Sequence, residues 1–255
     1  ELLGDRNWTA TTALDVAGVL KVEGGTITQG GGIAVGAAGT IEGFGTIASQ
    51  LALEGVLHVA GGAMGLLGMS GGGTIDIDRG AELRLPAGNF GQSFTGSGAV
   101  LAQSGTVTPS GPLAPDLVLR AGAGATLDIA QDFAGNVVLY GSGATVKFGA
   151  PAAFTGTLTG LQSGSTIDLA GVVASSATAI GKALAITTNS GTITFTLAGD
   201  YTGKNFRVDD DGAGGSSVTV QDVSFKFSQP FWPSATITWS FASSNYLNPF
   251  ATFSS

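Results

Sequence analysis

The chain has 255 residues, of which 43 are glycine, none is cysteine and one is histidine, with 10 basic and 18 acidic side chains giving a net charge of −8. Glycine at more than twice its usual ~7% excludes a helical bundle, since each mid-helix glycine costs about 1 kcal/mol relative to alanine. The cysteine count excludes a disulfide scaffold, a cysteine-based zinc site and a thiol enzyme, and the acidic balance argues against a nucleic acid backbone or an anionic membrane surface as partner.

A hydrophobic fraction of 43% is enough to bury a sizeable core despite the low charge. A cysteine-free chain suits export, where stray disulfides are a hazard. The start Glu1-Leu2-Leu3-Gly4 shows no signal peptide. A leader was removed, the chain belongs to something longer, or export uses a distal C-terminal signal. No apolar run approaches the roughly 20 residues of a membrane span, so no membrane insertion is expected.

In chain order, the first feature is a repeat. Residues 13–27 (ALDVAGVLKVEGGTI) align with residues 50–64 (QLALEGVLHVAGGAM) at an offset of 37. Leu14 meets Leu51, Val19-Leu20 meets Val56-Leu57, Val22 meets Val59, and the Gly24-Gly25 pair meets Gly61-Gly62. A second pair starts at Gly122 and Gly141, an offset of 19, and a two-residue insertion then brings Phe133 onto Phe154 and Gly135 onto Gly156. Between them runs a recurrent glycine–threonine–aliphatic step, as at Gly39-Thr40-Ile41 and Gly73-Thr74-Ile75. Apolar and polar residues alternate after each step, for example Ile75-Asp76-Ile77-Asp78, which marks half-buried strands with glycine at the corners.

Short strands on a period near 19 predict an all-β fold, a β-solenoid (β-helix) whose coils stack at about 4.8 Å. An antiparallel sandwich or barrel shares the short strands and glycine turns. The repeats at 19 and 37 favour the solenoid. Residues 1–182 read as the rod, with a helical turn or loop within residues 172–184. Residues 183–221 read as antiparallel hairpins that cap it, with Asn189-Ser190-Gly191 as a hairpin turn. Every glycine lies at or before Gly215, and residues 222–255 read as a separate aromatic tail, an assembly segment or the start of a following domain.

Four groups of residues are candidate sites. His58 occupies the repeat position of Lys21, outward by alternation, and reads as a surface histidine. Asp76 and Asp78 share a strand face about 7 Å apart. That reads as solvation and edge protection, with a glycosidase-like acid pair or a cation site as the sharper alternatives. Arg79 and Arg84 are nearby bases. Asp209, Asp210 and Asp211 precede Gly212, where a solvated hairpin turn competes with a calcium site, the one cofactor expectation. In the tail, Phe225, Phe227, Phe231, Trp232, Trp239, Phe241 and Tyr246 form strands that pack or pair, begin a further domain, or offer a sugar platform.

Residues 127–172 and 206–220 resemble a β-strand repeat of large secreted proteins of Gram-negative bacteria, of the autotransporter-passenger or adhesin type. The resemblance rests on the Phe-x-Gly steps at Phe133 and Phe154, on Gly164-Ser165-Thr166-Ile167-Asp168-Leu169, and on Phe206-Arg207-Val208 leading into Asp211-Gly212-Ala213-Gly214-Gly215. It implies a secreted or surface-displayed stalk, adhesin or matrix-fibre subunit. Self-association, or binding to another extracellular protein or polysaccharide, is then the expected partnership. Residues 235–241 more weakly resemble the entry strand of serralysin-like metallopeptidases. That implies an alternative, an accessory domain of a secreted hydrolase, with no catalytic residue in this chain. The overall expectation is a non-enzymatic protein.

Overall fold

The computed structural model describes residues 2–3, 7–221, 237–239 and 251–253. It divides into two units, Glu1–Asp222 and Val223–Ser255. The first is a β-solenoid of about nine turns with coils near 19 residues, all-β as the repeats predict, with no α-helix among the described residues. The second contains an antiparallel pair, Ile237–Trp239 against Ala251–Phe253.

The repeats are coils. Leu14, Ile33 and Leu51 stack in register, so the offset of 37 is one coil of 19 and one of 18. Leu20, Ile41 and Leu57 stack likewise, through coils of 21 and 16. Unequal coils explain why the sequence shows its repeat more clearly at two coils than at one.

Three parallel faces run down the upper rod. The first comprises the starts of Val19–Gln29, Thr40–Leu53 and Val56–Ser70, then Thr74–Ile77 and Ser93–Gly96. The second holds Asn7–Ala10, the middle of those long strands, then Glu82–Leu85, Ala99–Ala102, Val118–Ala121, Asn136–Leu139 and Thr157–Thr159. The third starts at Leu14–Val16 and continues below through Gly88–Phe90, Thr106–Pro109, Thr126–Ile129, Thr145–Phe148 and Thr166–Leu169.

Strand alternation turns every second side chain inward, and stacking makes each inward position a column. On the second face Met64, Leu83, Val100, Leu119, Val137, Leu158 and Leu197 form one such column, all essentially buried. On the third, Val107, Leu127, Val146, Ile167 and Val218 form another.

The first face stops at an isolated bridge from Phe94 to Leu113. Aromatic side chains fill the space below it. Phe133 and Phe154, aligned by the repeat, have ring centroids 6.4 Å apart, and Phe148 lies 4.7 Å from Phe154. Phe195 joins them at 5.4 Å from Phe148 and 5.9 Å from Phe154. Phe195 belongs to Gly191–Leu197, so the wedge ties the rod to the strands that follow.

Those strands begin earlier than residue 183. Ala174–Ile180 is a strand antiparallel to Ala183–Thr188, where the sequence suggested a helical turn or loop within residues 172–184. Its Ser175-Ser176-Ala177-Thr178-Ala179 run carries little hydrophobic alternation, so pairing with its neighbour decides the conformation. The Asn189-Ser190 turn is as expected, with Thr188 opposite Gly191. Gly191–Leu197 then lies parallel to Thr157–Thr159 and continues the second face after a detour of 39 residues, Leu158 to Leu197. Ser216–Gln221 covers Thr166–Leu169 in antiparallel register, with Asn205–Asp210 outside it. These two additions pair the edges that the last coil would otherwise expose.

Glycine at position 156 is required by space. A Cβ there would collide with the backbone carbonyl of Gly135, one coil above, which cannot move without parting the coils. Gly156→Ala should therefore destabilise the rod by about 1–3 kcal/mol, the usual cost of overpacking. Gly18→Ala, where nothing lies within 4 Å, should be neutral or slightly stabilising. Phe154→Ala should cost about 3–5 kcal/mol by emptying the aromatic wedge. Chemical denaturation of the three variants against wild type checks all of these.

Candidate functional site

Outward positions stack into rows just as inward ones do, and the rows set the rod's chemistry. On the first face Lys21, Glu42, His58, Asp76 and Thr95 occupy successive rungs. His58 is thus in the row of Lys21, as the repeat indicated. Its Nε2 lies 3.2 Å from Asp78 Oδ1, while Thr95 Oγ1 donates to Asp76 Oδ1 at 3.1 Å. Asp76 and Asp78 therefore face different partners, Thr95 and His58, and Arg79 forms an ion pair with neither. An exposed pair such as His58 with Asp78 contributes about 0–1 kcal/mol, so it is surface chemistry more than a stability anchor.

The second face carries an ion triad that the sequence reading did not single out. Arg84 Nε donates to Glu82 Oε1 at 2.8 Å, and Arg120 Nη1 donates to Glu82 Oε2 at 2.7 Å. The Glu82 side chain is only 17% exposed, so this pairing is better shielded from solvent than the first-face contacts. Glu82 and Arg120 are 38 residues apart. Only the coil period reveals that this separation is two coils on one face.

The third face also carries a charged row. Asp128, Lys147 and Asp168 occupy one row, continued by Ser217 and Asp209 across the antiparallel hairpin. Beside it Thr106, Thr126, Thr145, Thr166 and Thr219 form a threonine row, its last pair of hydroxyls 3.4 Å apart. The step at Gly105-Thr106-Val107 begins this row, whereas those at Gly39-Thr40-Ile41 and Gly73-Thr74-Ile75 open strands of the first face.

The Asp209-Asp210-Asp211 cluster sits at the tip of the hairpin. Asp209 pairs with Arg207 at 2.7 Å. Asp210 Oδ1 accepts from the Gly212 amide at 2.7 Å, and Asp211 Oδ1 accepts from the Ala213 and Gly215 amides at 2.6 and 2.9 Å. The geometry is that of a turn whose carboxylates bind its own backbone. Among the described residues no group of three or more His, Asp or Glu converges as metal ligands do. Of the tail candidates, Phe225, Phe227, Phe231, Trp232, Phe241 and Tyr246 lie outside the described residues. The backbone of Trp239 pairs with Ala251.

No known protein family, curated protein or solved structure matches the chain. Among the described residues no helix is long and apolar enough to cross a membrane.

The seam between the last parallel coil and the hairpin is electrostatically loaded. Burial pushes the Asp168 carboxyl above the ordinary aspartate range, neighbouring Asp211 adds to this, and Lys147 opposes it. Asp168 Oδ1 is buried without a hydrogen-bond partner. Backbone amides of Ala213 and Gly215 hold Asp211 below that range. An acid whose folded pKa is raised binds its proton more tightly when folded, so stability falls as pH rises through the interval between its unfolded and folded values. Asp168→Asn should stabilise the protein at about pH 7, and the gain should shrink toward zero as pH falls below the ordinary aspartate value of about 4. Denaturation curves of wild type and variant across that range provide the measurement.

Proposed function

We propose that this chain is a structural and adhesive protein, secreted or held at the surface of a Gram-negative bacterium, where it acts as a stalk, adhesin or matrix-fibre subunit. One observation carries the reading. An apolar core runs from Val16 to Val220, and on the third face one outer row repeats threonine from Thr106 to Thr219, beside rows of mixed charged and polar residues. A core of that form holds a fixed length. A repeated outer row suits many weak contacts made together, whose combined strength exceeds that of any one.

The resemblance of residues 127–172 and 206–220 to secreted Gram-negative repeats supports the same location. The aromatic segment beyond Asp222 supplies the residues for assembly with further copies or other extracellular partners. About nine coils at roughly 4.8 Å give a spacer on the order of 45 Å.

The test is accessibility in the producing cell. Antibody raised against the solenoid should label intact bacteria, and protease added outside should remove the label while leaving a cytosolic marker untouched. Antigen that becomes reachable only after lysis of both membranes would overturn the proposal.

A further inference from the structure

On the second face, the outward row containing Thr46, Gly65 and Arg84 lacks a side chain at its middle rung. The adjacent row has only Ala63 at the same level, paired with Glu82. The result is a notch one coil deep, with Thr46 above, Arg84 below, and Leu67 and Gln103 along its side. Two strand spacings separate Thr46 from Arg84, about 9–10 Å, which leaves room for one pyranose ring laid across the strands.

Folding does not require glycine at this place. A Cβ at Gly65 would meet nothing nearer than Thr46 Oγ1 at 3.6 Å, and its backbone is not among the left-handed glycines. Glycine within a strand weakens it, and close approach of another molecule is one use for such a position, here coinciding with the notch between Thr46 and Arg84. Gly156 is the contrast, where a side chain would force the neighbouring coil's backbone to shift.

The walls define the chemistry. Arg84 is held through Nε by Glu82, which also holds Arg120, so the guanidinium is positioned before a ligand arrives. Among the described residues its terminal amino groups make no other ion pair. Planar guanidinium groups match carboxylates through paired hydrogen bonds. Two arginines against one glutamate make the surroundings locally cationic in a chain of net charge −8. Thr46 and Gln103 offer groups for sugar hydroxyls, and Leu67, 57% exposed, offers an apolar surface for a ring's C–H face.

We infer that this notch binds a uronic acid residue of an acidic polysaccharide, its carboxylate on Arg84 and its ring in the space left by Gly65. The inference names a partner class for the adhesive role proposed above, and it stands on binding by the purified chain, whatever the chain's location in the cell.

Amide spectra of the isotopically labelled full chain, titrated with oligogalacturonate, give the test. Shifts should concentrate at Gly65, Leu67, Arg84 and Gln103. The methyl-esterified oligomer, which lacks the carboxylate charge, should bind at least about tenfold more weakly, a difference of about 1.4 kcal/mol. Gly65→Val fills the notch with a residue suited to strands and should abolish the shifts while keeping or raising the melting temperature. Arg84→Gln should weaken binding similarly with the notch left open. No localised shifts with wild type, or equal binding by Gly65→Val, would overturn the assignment. Surface accessibility in cells bears on the adhesive role alone, so the two can fail separately.

Discussion

Hydrogen bonding of each coil to the next in parallel register governs the rest of this molecule. Once the coils sit about 4.8 Å apart, every position along a strand is copied in space down the rod. An inward leucine must then lie over another apolar side chain, which gives the column from Met64 to Leu197. An outward charge lies over whatever residue the next coil supplies. Local alternation and long-range stacking thus become one requirement, and a regular core needs no interdigitated layers.

The same register explains how the rod varies without losing its core. Coils of 16 to 21 residues coexist because the register shifts at irregular points within the long strands, between Glu23 and Thr26, Gly43 and Gly45, and Ile47 and Gln50, and in-register pairing resumes after each. The first face ends near Leu113, and the lost aliphatic strands are replaced by Phe133, Phe154, Phe148 and Phe195. Large rings span the distance that short strands no longer bring together. Phe195 arrives from a strand beyond the parallel coils, so the wedge is also what joins the closing strands to the rod. Those strands satisfy the last parallel edges in two different ways, one parallel and one antiparallel.

Stacking also organises the surface. Charges that lie far apart in the chain, such as Glu82 and Arg120, come within a hydrogen bond across two coils. Glycines take two opposite roles in this frame. At Gly156 a side chain would force the neighbouring coil's backbone to shift, whereas at Gly65 a side chain would fit and its absence shapes the surface. Counting glycines cannot distinguish these roles. Only the position of the adjacent coil can.

The amino-acid sequence by itself determined the all-β class, the coil period, the inward positions and the pairing of Phe133 with Phe154, because each follows from local alternation and recurrence along the chain. It placed His58 outward in the row of Lys21, and it located the Asn189-Ser190 turn. It did not reveal the strand at Ala174–Ile180, whose small polar residues carry no pattern of their own and become extended by pairing with Ala183–Thr188. Nor did it reveal the Glu82–Arg84–Arg120 triad, the meeting of Asp168 with Asp211, or the notch at Gly65. The tertiary structure decided these because unequal coils make the partner of each outward residue depend on the accumulated register. A periodic sequence specifies that coils stack; the actual length of every coil decides which side chains meet.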